Sequence, residues 1–179
     1  MAEFRLETAR LVLRDWRDND LDALAALGRD AQVMATLGPP MSRADSAELL
    51  QRLQAFAGEL GHTFWALERK ADGRVIGFTG IIRGRDAPIA GMLEIGWRLA
   101  SDCWGAGYAT EAAAAALDWA KADRPGEDVY AITAAINARS QAVMARLGMA
   151  RLPKLDFDHP RVPGDSPLKP HVTYRIATG

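Results

Sequence analysis

Trp104-Gly105-Ala106-Gly107-Tyr108-Ala109-Thr110-Glu111 follows a strand-like run, Leu93-Glu94-Ile95-Gly96-Trp97-Arg98-Leu99, and opens an alanine-rich helix. A strand, a glycine turn and a helix start together make an anion cradle. Glycine lets the backbone approach a phosphate, and the free N–H groups of the first helical turn point at it. The bland alternative is a strand-to-helix connection that binds nothing, because such glycine turns are common. A Walker loop is excluded, since no lysine stands here. A dinucleotide fingerprint is a poor match. It expects a small residue where Thr110 stands, an early βαβ unit, and an acid at the end of the next strand. That strand ends near Thr133-Ala134-Ala135.

Outward from the cradle, the chain reads as a meander followed by βαβαβ. Leu11, Leu13 and Trp16 mark a strand over 10–16. Asp18, Asn19 and Asp20 offer N-caps for a helix over 21–27 that Gly28 ends. Ser42 caps a helix over 43–60. Strands over 62–69 and 74–82 flank the turn Ala71-Asp72-Gly73, a hairpin signal. A broken connection, 83–91, leads to the strand 92–99, the cradle and a helix to about 122. A strand over 129–134 and a helix over 137–147, stopped by Gly148, come next. A short strand over 149–153, a proline-rich excursion and a closing strand over 171–176 complete the order. Such an order predicts one α/β or α+β sandwich around a single sheet.

Composition narrows the class. The 179 residues suit one domain with a sizeable core. Lys and Arg number 22 and Asp and Glu 23, a net charge of -1, which argues against a general nucleic-acid binder. The five tryptophans are scattered and make no base-stacking surface. One cysteine, Cys103, allows no internal disulfide and no multi-cysteine zinc site. No apolar run is long enough to span a bilayer and no signal core opens the chain, so a cytoplasmic setting without membrane attachment is expected. Oligomeric state stays open, with a homodimer the fair prior.

Three stretches taken together resemble the GCN5-related N-acetyltransferases (GNAT), and within them the ribosomal-protein N-terminal acetyltransferases. The first is Glu94-Ile95-Gly96-Trp97-Arg98-Leu99 with Trp104 to Ala112. The second is Asn137-Ala138-Arg139-Ser140 with Leu147-Gly148-Met149. The third is Leu6-Glu7-Thr8-Ala9-Arg10-Leu11-Val12-Leu13-Arg14. The resemblance implies a single N-acetyltransferase domain over 1–179. It implies a mixed, mostly antiparallel sheet flanked by helices, with acetyl-CoA in the splay between central strands and no metal. Trp104, Gly105, Ala106, Gly107, Tyr108, Ala109 and Thr110 would meet the pyrophosphate. Backbone groups of Trp97, Arg98 and Leu99 would pair with the pantetheine arm, as would Asn137, whose plain alternative is an N-cap. The partner is an amine acceptor, either a protein N-terminus or a small molecule such as an antibiotic, polyamine or amino acid.

Acetyl transfer needs a neutral amine, a polarised thioester carbonyl, and help for the departing thiolate. The family's usual acid is a tyrosine seven residues after the asparagine. Met144 stands there and cannot donate a proton. Ser140 is the nearest substitute, unless it merely caps its helix or faces solvent. Glu94 is the candidate base, directly or through water. Placed between Leu93 and Ile95, it faces either solvent or the cleft. His159, in a loop resembling one that covers the acceptor site, is the runner-up. Gly96 marks a bulge or a close approach. Loss of catalysis, leaving a CoA-binding sensor, is the non-enzyme alternative that Met144 keeps open.

Overall fold

The strands are rich in apolar side chains on both faces, so helices cover the sheet twice. The structure is a computed structural model and describes residues 3–178. Its strands are β1 (Arg5–Glu7), β2 (Leu11–Arg14), β3 (Phe64–Arg69), β4 (Val75–Arg83), β5 (Leu93–Leu99), β6 (Val129–Ala134), β7 (Ala150–Arg151), β8 (Phe157–Asp158) and β9 (Pro170–Ile176). The helices are α1 (Leu21–Arg29), α2 (Ala31–Met34), α3 (Arg43–Leu60), α4 (Tyr108–Asp123) and α5 (Ala138–Arg146). One sheet runs β1-β2-β3-β4-β5-β6-β9-β7, with β8 also paired to β9. Every pairing is antiparallel except β5 with β6.

Helix α4 covers one face. Ala112, Ala113, Ala116 and Ala120 are fully buried against Leu11, Leu67, Ile81 and Ile95. Small side chains let the helix axis lie close to the sheet. Helices α1 and α3 cover the other face, where Leu24, Leu27, Leu50 and Leu53 pack with Trp16, Ala66 and Phe78. Double coverage explains why β2 is buried at all four positions rather than alternating.

Local chemistry departs from the sequence reading in a few places. Asp20 does not cap α1 with its side chain. Its carboxylate instead accepts from Arg14 Nη1 and Nη2 at 2.7 and 2.9 Å and from the Arg17 N–H at 2.8 Å. Gly28 lies inside α1, where Met41 and Ser46 pack against it, and the helix runs on to Arg29. Asp30 then caps the unanticipated α2, accepting from the Gln32 and Val33 N–H groups. Ser42 caps α3 as expected, in a capping box with Asp45. The excursion after β7 holds a single 3-10 turn and the two-residue β8.

The feature that positions the site is where pairing stops. β5 and β6 pair only at Leu93↔Val129 and Glu94↔Tyr130. Meanwhile β4 follows β5 to Leu99, and β9 follows β6 to Ala134. The sheet therefore splits between its central strands from Ile95 onward, leaving one edge of β5 unpaired.

Candidate active site

The split opens into a groove of about 1020 Å³. One wall is β5 at Trp97, Arg98 and Leu99, another is α5 with its lead-in, and the floor is the start of α4. Gly105 and Gly107 hold φ of 78° and 81°, left-handed values that suit glycine and turn the chain sharply into the helix. Gly107 is the N-cap and makes no side-chain cap. The first backbone bond of the helix is Glu111 N–H to the Gly107 carbonyl, 3.0 Å. From Gly105 to Thr110 no backbone N–H has a protein partner among the described residues. Unpartnered donors at a positive helix end fit a pyrophosphate.

Side chains brace this turn from both sides. Trp104 donates its indole N–H to the Leu99 carbonyl at 3.0 Å, tying cradle to strand. Arg139 stacks 4.2 Å from the Trp104 ring. Arg10 stacks 4.5 Å from the Tyr108 ring, donates to the Ala106 carbonyl at 2.9 Å, and pairs with Glu111 at 2.7 Å. Glu111 also accepts from the Thr8 hydroxyl at 2.6 Å and the Arg10 N–H at 2.9 Å. Although burial pushes the Glu111 carboxyl upward, these bonds hold it below the ordinary carboxylate range. The sequence reading did not single out Arg10 or Glu111 for this brace. No local signal joins residues a hundred apart.

Asn137 and Ser140 meet at the groove. Asn137 is 7% exposed and caps α5, its Oδ1 accepting from the Ser140 N–H at 3.2 Å. Its amide nitrogen donates to the Thr133 hydroxyl at 3.0 Å and to the Ser140 hydroxyl at 3.1 Å. Ser140 Oγ thus acts as an acceptor within the fold, leaving its proton free toward the groove. Met144 points elsewhere: it is 2% exposed and belongs to the α4-side core. Cys103 is also buried, and burial pushes its thiol above the ordinary value, so it is not an activated nucleophile.

Glu94 faces the opposite side from Leu93 and Ile95, into a second cavity of about 240 Å³. Leu53 and Phe56 of α3, Phe64, Ile132, His159 and Arg161 share its lining. Burial raises the Glu94 carboxyl to about 7, against the pull of Arg161. Gly96 is a close approach rather than a bulge. A Cβ there would lie 2.8 Å from the Phe64 ring, while the strand register stays regular. His159 also lines this cavity, its ring 4.7 Å from that of His171. Burial and His171 lower its pKa, and its Nδ1 accepts the Arg161 N–H at 3.3 Å. In that neutral tautomer the other ring nitrogen carries the proton. His171 donates its Nδ1–H to the Lys169 carbonyl at 3.1 Å, and the Tyr174 hydroxyl donates to the Gln141 side-chain oxygen at 3.2 Å. Among the described residues no cluster of His, Cys, Asp and Glu is arranged to hold a metal.

A split sheet with a phosphate-ready helix start on one side and a buried carboxylate on the other defines a class of acyl-transfer fold. Residues 10–150 match the model of the acetyltransferase (GNAT) domain. The chain belongs to the GNAT acetyltransferase family and is an N-acetyltransferase. It is 30% identical over 149 residues to the uncharacterized protein YkkB of Bacillus subtilis, covering 83% of this chain and 86% of that one. It resembles an acetyltransferase structure from Agrobacterium tumefaciens at 26% identity and TM-score 0.78, covering 98% and 95% of the two chains. It also shares its fold with a ribosomal-protein-S5-alanine acetyltransferase from Vibrio fischeri, at 17% identity and TM-score 0.76, covering 98% and 97%.

Proposed function

We propose that the chain transfers the acetyl group of acetyl-CoA directly to a primary amine within a ternary complex. The single observation that carries this is the end of β5–β6 pairing at Glu94, with unpartnered helix N–H groups on one side and an elevated carboxyl on the other. The Gly105–Thr110 turn holds the pyrophosphate, and the unpaired edge of β5 holds the pantetheine arm. Acetyl-CoA supplies the activated acyl group.

The protein's own residues do the rest. Glu94 takes the proton from the incoming ammonium, so that the neutral nitrogen attacks the thioester carbonyl carbon. As the new C–N bond forms and the C–S bond breaks, Ser140 O–H hydrogen-bonds the departing sulfur. The nitrogen sheds its second proton as the amide forms, and the departing sulfur, whose ordinary thiol pKa is about 8.5, takes up a proton in exchange, leaving the amide and the free thiol. Asn137 serves by fixing the direction of the Ser140 hydroxyl. His159 is an acceptor-side wall residue in this reading, because its tautomer makes it a donor.

The likeness to a ribosomal-protein acetyltransferase supports a protein N-terminal α-amine as acceptor, and the small second cavity supports a small-molecule amine equally. Methionine in place of the family's tyrosine at position 144 supports one competing reading, a CoA-binding protein without turnover. Titration with acetyl-CoA, followed by thiol release across a panel of amines, separates the two. Binding with amine-dependent release is expected. Binding without release for any amine would establish the sensor instead.

A further inference from the structure

Two arginines of the sheet are held in quite different ways. Arg14, 3% exposed, is met by Asp20 at 2.7 Å and Glu68 at 2.8 Å. Arg98, on β5, is only half-buried and has no such partner. Its Cζ lies 5.2 Å from the Phe78 ring, and Nη1 reaches only the Met41 sulfur at 3.5 Å. No carboxylate pairs with it among the described residues, and burial alone pushes its pKa down to about 10. A guanidinium has five N–H donors, and leaving them unpaired away from water is costly. The fold demonstrates at Arg14 how a structural arginine is satisfied. At Arg98 it leaves the charge lining the groove.

The surroundings restrict what completes it. Gln32 and Thr36 on the same groove wall are neutral, and the acid of that groove, Glu111, is held by Arg10 and Thr8. Strand alternation places Arg98 on the face of Glu94 and Gly96. Phe78, beneath it, packs with α1 and α3, whereas the phosphate cradle begins α4 on the opposite face. The cofactor's phosphates are served by the cradle. Arg98 lines the same groove as the cradle, but its place on the strand face of Glu94 sets it on the side where the reading above brings in the amine.

Resting on the acetyl-transfer reading above, we infer that Arg98 binds an acid group on the acceptor, which is a primary amine carrying a carboxylate. Glu94 and Arg98 are four residues apart, roughly 13 Å along an extended strand. That separation suits an acid several bonds from the nitrogen. Two sources offer this chemistry: an ω-amino acid, and a peptide whose first residues are acidic.

The test compares kcat/KM for matched acceptors. One arm pairs ω-amino acids with their carboxamides, and the other pairs Asp- and Glu-containing N-terminal peptides with their Asn and Gln counterparts. The wild-type protein is expected to favour the acid in at least one arm by about tenfold or more, the scale of a charge-assisted hydrogen bond. Arg98→Met should bring that ratio to within about threefold of one, with Arg98→Lys between them. Dependence on Arg98 in only one arm identifies the source. Equal use of acid and amide by the wild-type protein overturns the inference while leaving acetyl transfer intact, and this holds even if Arg98→Met fails to fold. Weaker acetyl-CoA binding in Arg98→Met, with the acid preference retained, assigns the guanidinium to the cofactor and overturns it as well. No acetyl-CoA binding by the wild-type protein overturns the acetyl-transfer reading itself, and the inference with it.

Discussion

At Glu94 the same burial shapes both reactivity and stability. With its carboxyl raised to about 7, the side chain is largely protonated at pH 6 and becomes a base only above neutrality. The kcat/KM for amine acetylation is therefore expected to rise through a limb near pH 7. In Glu94→Gln that limb should vanish and the rate fall by about 10²–10⁴-fold, the range for a general base. An unchanged limb in the variant would remove Glu94 from the role. Stability moves the opposite way. The folded carboxyl holds its proton more tightly than the unfolded one, so wild-type stability falls as pH rises from the unfolded pKa toward about 7. Above that window Glu94→Gln should be the more stable protein by up to about 3 kcal/mol, with the difference gone below pH 4.5. Denaturant unfolding at pH 4 and pH 8 measures it. Ser140 makes a narrower claim. Ser140→Ala removes one hydrogen bond to a developing charge, so kcat should drop about 10–100-fold while the acetyl-CoA Kd stays within about threefold. A parallel loss in Kd would reduce Ser140 to a binding contact.

At the scale of elements, the cradle is a joint between three segments rather than a loop alone. The turn before β2 brings Arg10, the end of β5 brings the Leu99 carbonyl, and α4 brings Glu111. A carboxylate in the first turn of α4 would repel a bound pyrophosphate unless neutralised, and Arg10 does this while holding the Ala106 carbonyl. Arg10→Ala is accordingly expected to weaken acetyl-CoA binding about tenfold, a loss of about 1.4 kcal/mol, measurable by calorimetry. An unaltered Kd would show the brace to be structural only. The turn itself was legible in the sequence, because a strand, two glycines and an alanine-rich helix are contiguous. Its brace was not, because Thr8 and Arg10 lie in a different part of the chain. Helix α2 escaped for another reason: four residues carry too little periodicity to register, and only Asp30 as a cap betrays it. Asp20 misled, since an aspartate before a helix reads as a cap whether or not a buried arginine claims it.

For the molecule as a whole, the sheet order was accessible only in part. Most strand positions and the parallel crossover through α4 followed from periodicity and spacing, whereas the short β1 and β8, of three and two residues, were not anticipated. The split after Glu94 has no local sequence mark, because it arises from pairing that fails to continue between strands some thirty-five residues apart. The resemblance to the GNAT acetyltransferases supplied it where periodicity did not. Whether that split keeps its shape depends on how the two covering layers are tied across the sheet. The Arg14 network ties the sheet to one of these layers, joining β2 to β3 through Glu68 and to the entry of α1 through Asp20, at 3% and 6% exposure for Arg14 and Asp20. Although burial acts to raise the Asp20 carboxyl, bonds from Arg14 and the Arg17 N–H hold it below the ordinary value. Its stabilisation is therefore present above the unfolded carboxyl pKa and lost as pH falls through the depressed one. Asp20→Asn leaves a buried guanidinium without its main counter-charge. This should cost about 3–5 kcal/mol, which for a chain of this size lowers Tm by roughly 6–20 °C. The deficit should shrink as pH falls below about 4, because the unfolded carboxyl takes its proton there while the folded one, held lower, does so only as the pH falls further. A calorimetric scan at pH 7 and pH 3 checks both parts. Equal Tm values at pH 7 would mean that the sheet and the entry of α1 hold together without this network.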